Sequence, residues 1–277
     1  MIFNRSSTRL ATLLAAFVLA SSAHAQSDTV SIFAAGSLRG VVADLSKEAG
    51  ESLGVRVEAS FGGSGLMRER IEKGEKADLL LSADLGSPRR LESQHLTRIP
   101  VIAFARNRMC VISQRTDGIT PGNLVDRLLL GDTRIRTSTP VADPSGDYAW
   151  SIFDRIDTLR PGSGARLKEK AQAMMNVTAQ PASPSQSAAA ALFAARRIDV
   201  SITYCSAAPA LLMELPGLSS FEVPAAFDPH PVYGIAVTSD RPEVLRVALF
   251  LLSEKGQAII SRNGLLPLIE AAPGASR

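Results

Sequence analysis

The chain has 277 residues, 45% hydrophobic and 21% charged, the profile of a globular protein with room for one large or two medium domains. A formal net charge of +3, the lack of any Lys/Arg block and an aromatic content of 5% argue against nucleic-acid binding. Beyond the N-terminal segment, no stretch is apolar enough for a membrane helix.

That N-terminal segment is a separate object. Arg5 and Arg9 form a basic start, Leu10–Ala20 is an apolar run of eleven residues, and Ala23-His24-Ala25 is a small-x-small cleavage site. The pattern predicts a secretory signal peptide over residues 1–25, too short to span a bilayer. The mature protein is expected to begin at or near Gln26, without a lipid anchor, since no cysteine follows the apolar run. Removing Arg5 and Arg9 leaves 28 basic against 27 acidic residues, so bulk charge attracts no anion. An exported chain is permitted disulfides. Cys110 and Cys205 are the two cysteines, and the sequence leaves a bridge and two buried thiols equally open.

In chain order, Val30–Ala35 reads as a strand, Gly36-Ser37 as a turn, and Leu38 begins a helical pattern with Val41, Val42 and Leu45. Val55–Phe61 reads as a second strand, which Gly62-Gly63-Ser64-Gly65 turns into a helix over 66–73. A serine where a strand hands over to a helix has two uses. It caps the orphan N–H groups of the first turn, or it joins those groups in holding an anion. Ligands of open α/β sheets sit beyond the carboxyl ends of the strands, where Ser37 and Ser64 would both lie.

Ala77–Ala83 is a third, nearly all-apolar strand, so the alternation of strands and helices predicts a parallel sheet. Asp84 is expected to start the next turn and helix, at Ser87-Pro88. Ile99–Ala105 and Met109–Ile112 read as strands, Asn123–Leu130 as a short helix and Arg134–Thr139 as strand-like. Asp143-Pro144-Ser145-Gly146 is a strong turn signal before an amphipathic helix over Tyr148–Leu159, a third corner with a serine. Ala165–Met175 reads as a helix. Ser185-Gln186-Ser187 leads into the helix former Ala188–Ala195. Asp199–Tyr204 follows as a strand ending in a tyrosine. Phe221–Pro224 and Val232–Thr238 read as strands, and Pro242–Glu254 with its continuation to Ile260 reads as helix.

Taken together, Ala34-Ala35-Gly36-Ser37-Leu38, Ser60-Phe61-Gly62-Gly63-Ser64-Gly65-Leu66 and Ala77-Asp78-Leu79-Leu80-Leu81-Ser82-Ala83-Asp84 carry a resemblance. With the Asp-Pro corner, Tyr204 and the late Gly256-Gln257-Ala258-Ile259-Ile260 run, they are similar to the periplasmic molybdate-binding proteins of ABC transporters. The likeness runs from about Val30 to Leu268. It implies an α/β fold of the two-lobed, type II periplasmic-binding kind, each lobe a mixed, mostly parallel sheet flanked by helices. Lobe 1 would hold residues 26–106 plus 233–277, and lobe 2 residues 107–232. It implies oxyanion ligands from the Ser37 and Ser64 hydroxyls, from backbone amides at or near Ser145 and Gln186, and from the Tyr204 hydroxyl. It further implies a periplasmic monomer that binds molybdate or tungstate and partners an inner-membrane permease, with no cofactor, no cation site and no enzymatic activity. Asp143-Pro144 runs straight into Ser145-Gly146 where the family often has a longer corner, and the Gln186 region is Ser/Ala-rich. Both mark a divergent branch.

Rival readings fit the residues less well. A serine hydrolase wants Gly-x-Ser-x-Gly, which Gly62-Gly63-Ser64-Gly65-Leu66 misses by one misplaced glycine, and neither His95 nor His230 shows a sign of serving Ser37 or Ser64 as a base. There is no His/Cys cluster of metal-ligand spacing and no phosphate loop. Sulfate, thiosulfate, phosphate or a small organic anion would suit the same corners. A phosphate would want an acceptor carboxylate for its remaining proton, with Asp84, Asp143 and Asp147 as candidates. An exported sensor or structural protein on the same fold is the third reading.

Overall fold

The computed structural model describes residues 29–268. The signal peptide expected over 1–25 and the tail from Glu270 lie outside the described residues. The first lobe opens with β1 (Thr29–Ala35), α1 (Arg39–Leu53), β2 (Arg56–Gly62), α2 (Ser64–Glu72), β3 (Leu79–Ser82), α3 (Gly86–Ser93) and β4 (Ile102–Arg106). The chain then crosses into β5 (Met109–Gln114), α4 (Leu124–Leu129), β6 (Ile135–Arg136), α5 (Pro144–Leu159) and α6 (Ser163–Met174). The second lobe closes with α7 (Ala188–Ala194), β7 (Val200–Tyr204), α8 (Ala208–Glu214) and β8 (Leu218–Glu222). A return crossing leads to β9 (Val232–Val237), α9 (Pro242–Leu252), α10 (Glu254–Arg262) and β10 (Leu266–Pro267).

Two sheets result. The first runs β10-β4-β9-β3-β1-β2 and the second β6-β7-β5-β8. Both are mixed, but the parallel share is smaller than expected. Only β1–β2, β1–β3 and β6–β7 pair in parallel. The returning β9 lies antiparallel to both β3 and β4, and β5 sits antiparallel between β7 and β8. The strand expected over 221–224 begins earlier, because β8 takes its register from β5, with Cys110 opposite Glu222.

The core explains why β1 and β3 are central. All four residues of β3 are buried, and α1 turns Val41, Val42, Leu45 and Ala49 onto the sheet at helical spacing. Gly54 ends α1 in the left-handed conformation that glycine adopts without steric cost. In the second lobe α5 buries Ala149, Ile152, Phe153 and Ile156. Trp150 lies on the same helix, partly buried against this core, with the Lys168 ammonium 5.3 Å from its ring centre. A disulfide joins Cys110 on β5 to Cys205, the residue after β7, across a sequence separation of 95.

Candidate functional site

The strand-to-helix corners of the two lobes meet. A cavity of about 290 Å³ opens between them, lined from the first lobe by Gly36, Ser37, Gly62 and Ala83. From the second lobe it is lined by Ser138, Asp143, Ser145, Thr203 and Tyr204. Every strand that contributes does so at its carboxyl end, as the α/β rule requires.

Neither first-lobe serine caps its helix by hydrogen bond. The Ser37 hydroxyl stands 3.0 Å from the hydroxyl of Tyr233, which also accepts from the Asn107 side chain at 3.0 Å. Ser37 is thus tied to Tyr233 on β9 and, through it, to Asn107 in the first crossing. Ser64 is fully buried, and its Oγ accepts the Ala83 N–H at 3.0 Å. It shapes the wall from behind and does not itself line the cavity.

At the third corner Asp143 is the N-cap of α5, and its carboxylate accepts the Ser145 N–H at 3.0 Å. The backbone amide expected to hold the anion is therefore already engaged. What Ser145 offers is its side chain: the residue is 2% exposed, it lines the cavity, and its Oγ has no hydrogen-bond partner. A buried hydroxyl without a partner costs free energy unless something else completes it.

Tyr204 is 4% exposed, and its hydroxyl donates to the Ala83 carbonyl across the lobes at 3.3 Å. Its ring packs against Tyr148 and Tyr233, at centroid distances of 6.2 and 5.7 Å. Burial pushes the Tyr204 phenol well above its ordinary value, and that of Tyr148 to about 12, so both stay neutral donors at physiological pH.

Gln186 is not brought to the cavity. Its Oε1 accepts the Ala182 N–H at 2.6 Å, and its own N–H donates to the Ser183 carbonyl. Ser187 caps α7, which packs through Ala190, Leu192 and Phe193 into a separate apolar cluster with Ile112 and Leu218. This helix start serves that packing. Asp84 behaves as expected: its carboxylate accepts the Ser87 N–H at 2.8 Å and the Ser82 and Ser87 hydroxyls.

Three site residues carried no local signal. Ser138 and Thr203 enter the wall through the β6–α5 connection and the end of β7, and Tyr233 reaches Ser37 only because β9 returns to the first sheet. The corner itself is strained. Val141, a β-branched residue, has φ +69°, and its N–H is held by the Asp147 carboxylate at 2.9 Å. It meets the first lobe at Gly65, where a Cβ would overlap the Val141 carbonyl oxygen.

Two α/β lobes joined by two crossings and meeting on a hydroxyl-lined cavity make the type II periplasmic-binding-protein fold. The sequence pattern of the bacterial extracellular solute-binding proteins matches residues 30–266, and the chain belongs to that family. By that membership it is an extracellular solute-binding protein. An uncharacterized protein of Pasteurella multocida is 33% identical over 240 residues, covering 85% of this chain and 98% of its own. Among solved structures, the periplasmic molybdate-binding protein of Azotobacter vinelandii superposes with a TM-score of 0.65 at 18% identity, covering 86% of this chain and 98% of that one. The sulfate-binding protein SubI of Mycobacterium tuberculosis gives 0.69 at 17%, covering 88% of each chain. At such identities these two likenesses speak for the fold.

Proposed function

We propose that this protein captures a tetrahedral oxyanion in the interlobe cavity, after export to the periplasm, and delivers it to a membrane permease. The observation that carries the reading is the Ser145 hydroxyl, buried and unpartnered in the cavity wall. Around it stand Ser37, Ser138, Thr203 and Tyr204, neutral hydroxyl side chains from both lobes. Those of Tyr204, Ser138 and Ser37 bond Ala83, Asp143 and Tyr233, and would turn to the anion on binding. Held in a closed cleft, such dipoles act at low local dielectric. Hydrogen bonds to a charged group contribute about 1.5–3 kcal/mol each, so a handful reach about micromolar affinity or tighter after association costs. The ligand is shared between lobes and stabilises the closed state by its differential affinity. The resemblance in the corner motifs makes molybdate and tungstate the first anions to test, with sulfate and phosphate beside them.

The test is calorimetric titration of the mature protein, freed of ligand by unfolding and refolding, with each of the four anions. One-to-one heat with at least one of them is expected, and silence with all four would overturn the reading. Ser145→Ala should then weaken binding by about 1.5–3 kcal/mol, the value of a hydrogen bond to a charged group. The exposed Arg196→Ala serves as the control. Tyr204→Phe should cost about 1–3 kcal/mol, and titration of the variant with the same anion measures it. An unchanged affinity would leave Tyr204 a purely packing role.

A further inference from the structure

The cavity holds a carboxylate and no cation. Among the described residues Asp143 is the one charged side chain in its lining, and no lysine or arginine contributes to the wall. The neighbours sharpen this imbalance. Asp84 from the first lobe adds to the negative field at Asp143, and both Asp84 and Asp143 add to that at Asp147 on α5. Arg136 lines an adjoining hollow together with Asp143 and Ser138, but it makes no ion pair among the described residues. Tyr204 lines the site as a neutral phenol, with Tyr148, also neutral, packed against its ring. One Asp143 oxygen takes the Ser145 N–H, and the Ser138 side chain bonds to the carboxylate as well. A fully ionised dianion entering this wall would meet an uncompensated carboxylate, and two like charges at one site do not both stay ionised.

Building on the oxyanion reading, we propose that the cleft binds its anion together with one proton, held between the Asp143 carboxylate and an anion oxygen. Asp143 thereby selects among tetrahedral oxyanions. An anion that carries its own O–H, such as hydrogen phosphate, donates it to the carboxylate and takes up no proton; the dihydrogen form, abundant at the acid end, releases one proton to the buffer as it binds. An anion fully ionised at neutral pH, such as molybdate or sulfate, binds only as one proton moves from the buffer onto Asp143, which then donates to it. Burial, reinforced by Asp84, raises the Asp143 carboxyl above the usual carboxylate range and eases that uptake. The sign follows: affinity for a fully ionised anion is greatest at low pH and falls as pH rises through the range in which Asp143 ionises.

The experiment is titration of wild type and Asp143→Asn with molybdate, sulfate and orthophosphate from about pH 6 to about pH 8, in two buffers of different ionisation enthalpy. In wild type, molybdate or sulfate should bind with uptake of about one proton and lose up to about tenfold in affinity per pH unit. Orthophosphate should be preferred at the alkaline end. An asparagine keeps the cap, since its carbonyl accepts the Ser145 N–H, and its amide N–H donates to the anion. Asp143→Asn should therefore abolish proton uptake, flatten the pH dependence and bind molybdate more tightly than wild type at about pH 8. Wild-type binding of a fully ionised anion with no buffer-dependent heat and no pH dependence would overturn the proposal and leave the oxyanion reading intact. That comparison needs no variant. Silence of every anion with both proteins overturns the oxyanion reading and this proposal with it.

Discussion

Replacing Gly65 by alanine is expected to abolish tight ligand binding while leaving the unliganded protein as stable as before, or slightly more so. Gly65 lies in the first turn of α2, where alanine would ordinarily favour the helix by about 0.5–1 kcal/mol. In the closed protein, however, a Cβ there overlaps the Val141 carbonyl oxygen and stands 3.2 Å from that of Ala142. Both obstacles are backbone, and the Asp147 carboxylate holds the Val141 N–H, so the corner cannot give way cheaply. The overlap is between lobes, so the hinge opening proposed above relieves it. The substitution therefore taxes only the closed state. Apparent affinity scales with the population able to bind, and a loss on the order of a hundredfold is expected. Titration against thermal melting without ligand checks it. Loss of stability equal to the loss of binding would show that the contact is not one of closure.

The second large effect concerns the bridge between Cys110 and Cys205. Closing a loop across a separation of 95 residues restricts the unfolded chain, which the loop-entropy relation values at about 4–5 kcal/mol. The double variant Cys110→Ser/Cys205→Ser should lower unfolding stability by about that amount, measured by urea denaturation. It should also weaken ligand binding, because Cys205 follows Tyr204 directly and the bridge ties the end of β7 to β5. A double variant as stable as wild type would mean that β5–β7 pairing alone fixes this edge.

What could be read from the residues was local. The corners at Ser37, Ser64 and Ser145 were legible because a strand, a run of small residues and a helix announce a turn wherever they occur. The purpose of each serine was not. Ser37 is bonded to Tyr233 and Ser64 to Ala83, partners 196 and 19 residues away that only the sheet order brings near. At the third corner Asp143 takes the amide and leaves the hydroxyl, a choice set by cap geometry that composition does not reveal. Gln186 shows the converse. Its helix-start signature is the same whether the helix faces the cleft or packs elsewhere, and the apolar face of α7 decided for elsewhere. The disulfide stayed open in the sequence because it depends on the register that sets Met109 opposite Tyr204.

Trp150 gives the molecule an optical voice of its own. It is the single tryptophan of the chain, placed on the helix whose first turn carries Ser145, and its buried Nε1 has no hydrogen-bond partner. The same helix carries Tyr148, stacked edge-on to Tyr204. Emission excited at the red edge of the indole band thus comes from one known position in the second lobe. Any change in its colour or intensity on adding an anion reports on α5 without a label, and stopped-flow recording of that change would time the capture of the anion.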